Sequence, residues 1–205
     1  MKTLIKTLLA AACIALPAGA GAVTIFSDNF NGENGGVGTL NYAGFVNWTV
    51  NPGTVDLIGN GFFDFYPGNG LFVDLDGSTS QAGKMTSSAI AVTPGFYSLS
   101  FMLGGNARGA ANDTISVSVD TGFANQNYVL NYMDPLTTYT LPFQVLSATS
   151  INLVFQNAGG DNVGAILDNV RLEQRDQAQV PDGGTSALLL GMGLLALGWS
   201  RKLTS

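Results

Sequence analysis

The run GFYSLSFML (95–103) places Tyr97, Leu99, Phe101 and Leu103 at alternate positions, with Ser98 and Ser100 between them. Only an extended chain turns that spacing into one apolar and one polar face. TISVSVD (114–120) repeats the pattern with Ile115, Val117 and Val119, and TSINLVF (149–155) with Ile151, Leu153 and Phe155. FVNWTV (45–50), TVDLI (54–58), LFVDL (71–75), NYVLN (127–131), TYTLPF (138–143) and GAILDNVRL (164–172) add further short runs, separated by Gly, Asn, Asp and Pro. Roughly nine or ten half-buried strands with turn residues between them, and no soluble helix, predict an all-β fold. The fold class is a single antiparallel β-sandwich, jelly-roll-like, over residues 23–173. The 27 glycines follow no three-residue period and belong to the turns.

The first 22 residues are of another kind. Lys2 and Lys6 precede an apolar stretch from Leu8 to Leu16, and Ala20-Gly21-Ala22 follows. That order reads as a secretory signal peptide cleaved between Ala22 and Val23. Cys13, the single cysteine, leaves with it, and histidine is absent. The remaining chain therefore has no disulfide, no thiol nucleophile and no thiolate or imidazole metal site, which excludes Ser-His-Asp and Cys-His catalysis. Between 23 and 182, four basic residues stand against fourteen acidic ones, a net charge of −10. Such a surface repels phosphate backbones, so nucleic acid is not an expected partner.

The other end closes with VPDGGTSALLLGMGLLALGWSRKL (180–203). A polar linker with turn residues (174–184) leads to an uncharged segment (185–200), Trp199 stands at the headgroup position, and Arg201 and Lys202 match a cytoplasmic tail (201–205). The sixteen residues are short for a spanning helix, which usually needs about 20. The order of motif, helix and basic cluster resembles the PEP-CTERM sorting signals of Gram-negative bacteria. Here Val180-Pro181-Asp182-Gly183 keeps the acidic position and replaces the second proline of the tetrad with glycine. The resemblance implies an exosortase-type processing enzyme as partner, transit through the inner membrane, and release or attachment at the cell surface or in the extracellular matrix. A plain tail anchor is the alternative.

Within the sandwich, FSDNFNGENG (26–35) and the closing strand AILDNVRL (165–172) resemble the first-strand exit and last strand of carbohydrate-binding and galactose-binding-like jelly rolls. In simple alternation Asp168 shares a face with Ile166, Val170 and Leu172 and points into the core. A buried carboxylate needs a cation or several hydrogen bonds. The resemblance implies a structural calcium shared by Asp168 and Asp28, with Asn29 and Glu33 in reserve; the alternative is that Asp168 caps backbone N–H groups.

GNGFFDFYPGNGLFVDLDGSTSQAG (59–83) is rich in aromatic and acidic residues. Trp48, Tyr66, Asp74 and Asp76 are candidates for a sugar site, because sugars call for a ring platform beside carboxylate and amide groups. The competing expectation is that the Phe-rich stretch is core and DLDG a strand exit. Asp74 and Asp76, two apart on a strand, also have a spacing compatible with a glycosidase pair, though the sequence shows nothing to raise the pKa of either. The reading that follows is an exported surface protein, not an enzyme, that binds or organises extracellular polysaccharide. A purely structural envelope or biofilm-matrix protein is the alternative, and a glycoside hydrolase a weaker one.

Overall fold

The alternating runs become strands. In the computed structural model, which describes residues 21–175 except 80, 110, 120 and 121, there are thirteen. They are β1 (Ala22–Asp28), β2 (Trp48–Val50), β3 (Asp56–Gly59), β4 (Leu71–Asp74), β5 (Lys84–Ser87), β6 (Ile90–Val92), β7 (Gly95–Gly104), β8 (Asp113–Val119), β9 (Ala124–Leu130), β10 (Thr137–Val145), β11 (Thr149–Ile151), β12 (Leu153–Asn157) and β13 (Ile166–Arg175). One short 3-10 turn spans Glu33–Gly36. The signal region, the Val180–Gly183 motif, the apolar segment 185–200 and the basic tail lie outside the described residues.

Two sheets face each other. The first runs β10-β7-β13-β4-β3, with β1 also on β13; the second runs β2-β5-β12-β8-β9, and β6 pairs β11 in a small ribbon. The sequence-based strands are present within a few residues of their expected limits. β5 and β6 were not anticipated, and the run 149–155 divides at Asn152 into β11 and β12. KMTS and IAV are too short to establish a period.

The facing sides carry the alternating apolar residues. Leu99, Phe101 and Leu103 from β7 meet Ile115, Val117 and Val119 from β8 and Leu153 and Phe155 from β12 in one core. Phe26, Trp48, Phe155 and Phe101 form a chain of edge-to-face rings with centroids 5.6, 5.8 and 5.2 Å apart. Each such pair adds about 1 kcal/mol beyond the area it buries.

β13 departs from simple alternation. Its first residues, Ile166 and Leu167, pair with β4, whereas Val170 to Arg175 pair with β1 on the same side. At the handover the register against β7 slips between Asp168 and Arg171, and Asn169 takes a positive φ of 49°. The slip is a β-bulge. It corrects the expected facing of Asp168. Leu167, Val170 and Leu172 enter the main core, while Ile166 joins Ile58 and Phe72 in a separate cluster. Asp168 is therefore in phase with Ile166, not with Val170 and Leu172. Phe65, Tyr66 and Leu136 pack over that second cluster. They cover the outer face of the first sheet at its β3–β4 end and leave the outer face of β10, β7, β13 and β1 open.

Candidate functional site

That open face carries a cleft of about 860 Å³. Its floor comes from the outward positions of three neighbouring strands: Ser100 and Met102 on β7, Thr138 on β10, Asn169 and Arg171 on β13. Alternation puts these side chains opposite the core, and pairing aligns Thr138 with Met102 and Ser100 with Arg171. The β1 exit supplies Asp28 and Asn29, and Asn47 comes from the approach to β2. Arg171 is held in place by Thr24, whose Oγ1 accepts from its Nη2 at 2.7 Å, and by Glu173 at 2.7 Å. Farther along the same strands, Phe96, Pro142, Gln144 and Arg175 line a second groove of about 530 Å³. Phe96 is an exposed ring on that face.

Asp28 and Asp168 are brought together beside this cleft. Asp28 pairs with Val170 across the ladder, close enough for its charge to act on Asp168. Asp168 is fully buried. Burial pushes its carboxyl up to about 7, the Asn169 N–H opposes this, and the Asp28 charge adds to it. Among the described residues, its two oxygens accept only from Asn169, at 2.6 and 3.0 Å. The Asp28 oxygens are more fully engaged: Oδ1 accepts from the Phe30 N–H at 2.9 Å, and Oδ2 from Asn47 Nδ2 and Trp48 Nε1, both at 3.0 Å. With two lone pairs on each oxygen, Asp28 keeps one free and Asp168 keeps two. The pair fits a hard cation as a partial shell, since calcium takes six to eight oxygens. Among the described residues, no three histidine, cysteine, aspartate or glutamate side chains are grouped to hold a metal. Of the reserves, Asn29 lines the cleft, and Glu33 is spent on the Val46 N–H and the Tyr42 hydroxyl.

The four candidates for a sugar site do not share a surface. Trp48, 4% exposed, is a core ring whose N–H is anchored by Asp28. The Tyr66 hydroxyl hydrogen is shared between the carbonyls of Gly105 and Asp134. Asp74 is buried, accepts from the N–H groups of Asp76 and Gly164, and is paired with Arg108. Asp76 is buried beneath the 158–164 loop. The exposed aromatics of this region are instead Phe62 and Phe63.

The sequence left Asp74 without a source of raised pKa, and the fold supplies one: burial pushes it up to about 8 against the Arg108 guanidinium. It opens only onto a notch of about 50 Å³, however. That is far below the roughly 300 Å³ or more of a ligand pocket.

Sequence reasoning missed the cleft because Ser100, Thr138, Asn169 and Arg171 look like any solvent-facing positions of alternating strands. The exit loop FSDNFNGENG and the closing strand were the legible parts of it.

Residues 179–203 match the VPDSG-CTERM motif. The chain ends in a VPDSG-CTERM sorting motif. Asp182 and Gly184 fit that pattern directly, and the glycine at 183 stands where it has serine. No curated protein matches the sequence. Among solved structures, the chain is similar to the CBM22-1–CBM22-2 tandem of Paenibacillus barcinonensis Xyn10C (16% identity, 82% of this chain, 50% of that one, TM-score 0.50). It is also similar to the CBM22-1 xylan-binding domain of the same protein (16%, 78% and 99%, 0.46). A third is the CBM22-1–GH10 part of Clostridium thermocellum Xyn10B in complex with xylohexaose (14%, 73% and 28%, 0.46). The chain thus spans half of the tandem and about a quarter of the Clostridium protein. The likeness is one of fold: an antiparallel β-sandwich.

Proposed function

We propose that this is an exported protein, handed to an exosortase-type enzyme through its tail, whose sandwich binds extracellular polysaccharide without catalysis. The observation that carries the reading is the polar cleft on the open face of β10, β7 and β13. Its amides from Asn29, Asn47 and Asn169, its hydroxyls and its single guanidinium suit a neutral polyhydroxylated ligand, which asks for many directional hydrogen bonds. Met102 offers an apolar contact below, and Phe96 a ring farther along. From Met102 to Phe96 is six residues of one strand, about 20 Å of extended chain. The face therefore favours a linear polymer lying along β7. The xylan and xylohexaose of the similar structures are a first choice of test ligand.

Calcium held between Asp28 and Asp168 belongs to the same proposal, as a brace for the bulge that presents Asn169 and Arg171. The test is affinity electrophoresis of the full chain, in detergent, through gels containing bacterial and plant polysaccharides. Retardation by one glycan class is expected, reduced about tenfold or more in affinity by Asn169→Ala with Arg171→Ala. EDTA should weaken it if Asp28 and Asp168 hold calcium. A folded protein retarded by none of the glycans would sink the reading.

A further inference from the structure

A second group of buried oxygens lies apart from the Asp28–Asp168 pair, where the loop from β12 to β13 wraps Asp76. The Gly160 and Asp161 N–H groups donate to Asp76 Oδ2 at 2.8 and 3.4 Å. Gly159 lies against the same carboxylate so closely that a Cβ there would collide with it. The other oxygen, Asp76 Oδ1, has no hydrogen bond, and the residue is 0% exposed. Asn157, the last residue of β12 and 2% exposed, likewise has an unpartnered Oδ1. Its Nδ2 donates to Asp113 Oδ1 at 3.3 Å.

Turning that amide over would break this bond and aim the amide oxygen at the Asp113 carboxylate. Asp113 starts β8 and also feels the charges of Asp161 and Asp76. Arg108, the base within reach of Asp113, is engaged by Asp74. Two orphaned buried oxygens beside like-charged carboxylates are expensive in an apolar interior unless something positive sits among them.

The donors are all hard oxygens: carboxylates of Asp76 and Asp113 and an amide of Asn157, with Asp161 at the rim. Two acids and an amide fall short of three grouped acidic side chains, and calcium accepts such a set when water completes its irregular shell; magnesium, which demands a near-ideal octahedron, does not. We propose that Asp76 Oδ1, Asn157 Oδ1 and Asp113 form a calcium site that ties the β4 exit, the start of β8 and the β12–β13 loop together. These segments are far apart in sequence, so the ion acts as a cross-link across the end of the sandwich. It also fixes the loop that leads into β13.

The test is thermal unfolding of the full chain in detergent, first in EDTA and then with calcium alone at millimolar concentration, with calcium stoichiometry from titration calorimetry. Calcium is expected to raise Tm by about 5 °C or more. Asp76→Asn should lower the stoichiometry by one and remove most of that rise, while Asp168→Asn leaves this ion in place. Asn157→Asp puts a charged ligand in the same volume. It should lower Tm in EDTA and tighten calcium by roughly tenfold. That last variant keeps the test decisive if Asp76→Asn fails to fold. No calcium response in the unaltered chain would overturn the site. So would an unchanged response in Asp76→Asn and Asp113→Asn, or an unchanged calcium affinity in Asn157→Asp.

Discussion

Trp48, a candidate for a sugar platform, sits instead at the centre of the ring chain, its indole N–H on Asp28 Oδ2. Phe keeps part of the ring contact and loses the hydrogen bond, leaving a charged oxygen short of a donor. Trp48→Phe should cost about 2 kcal/mol in urea unfolding, from the lost ring volume and the lost bond together, and an unchanged unfolding free energy would refute this. Tyr66 makes a pH prediction. Burial, with the Asp134 charge adding to it, raises its hydroxyl from 10.0 to about 12. The folded state thus keeps a proton that the unfolded chain releases near pH 10, so this contribution is whole below pH 10 and is lost as the pH rises toward 12. Unfolding free energies between pH 9 and 12 should fall more steeply for the unaltered chain than for Tyr66→Phe; equal slopes would refute it. Neither residue's environment was legible in sequence, because an aromatic with a polar tip fits a core and a binding platform equally well.

At the scale of the element, β13 shows how far periodicity reaches. AILDNVRL reads as one strand and is one, but its two halves have different neighbours, β4 and then β1, and the bulge absorbs the change. Asn is among the few residues that tolerate the left-handed conformation found at 169. Asn169→Gly keeps that backbone unstrained but strips Asp168 Oδ2 of its side-chain donor, and should cost about 1 kcal/mol, whereas Asn169→Val loses the donor and strains the backbone, and should cost about 3 kcal/mol. Equal costs in chemical denaturation would mean that the backbone there is not what selects the residue. The bulge itself could not be read from the pattern, since one inserted residue in an apolar run mimics an ordinary alternation. Asp168 was correctly singled out as a problem charge, and its facing was not, for that reason. The short β5 and β6 escaped notice because three or four residues define no period.

For the whole molecule, the tail and the open face carry the predictions. Replacing Asp182 by Ala removes the acid of the VPDSG-like tetrad. If the tail is processed, the uncleaved chain should accumulate in the membrane fraction on immunoblots; an unchanged distribution would separate this tail from sorting. The length of the face gives the other outcome. In calorimetric titrations, affinity for a linear oligosaccharide should rise with its length and level off once the ligand outruns the roughly 20 Å between Met102 and Phe96. An affinity independent of length would confine binding to one end of the face.

By itself the sequence determined that this chain is a β-sandwich with a sorting motif at its C-terminal end. Alternation forces extended strands with one apolar side, two such sheets must cover each other, and charge placed around an apolar run is a local signal that needs no fold to read. The tertiary structure alone decided which polar positions converge. Whether Asp76 meets Asn157, or Asn169 meets Ser100 and Thr138, depends on strand order and on one register slip. Those are long-range facts, fixed by the packing of residues many tens of positions apart, and no local pattern encodes them.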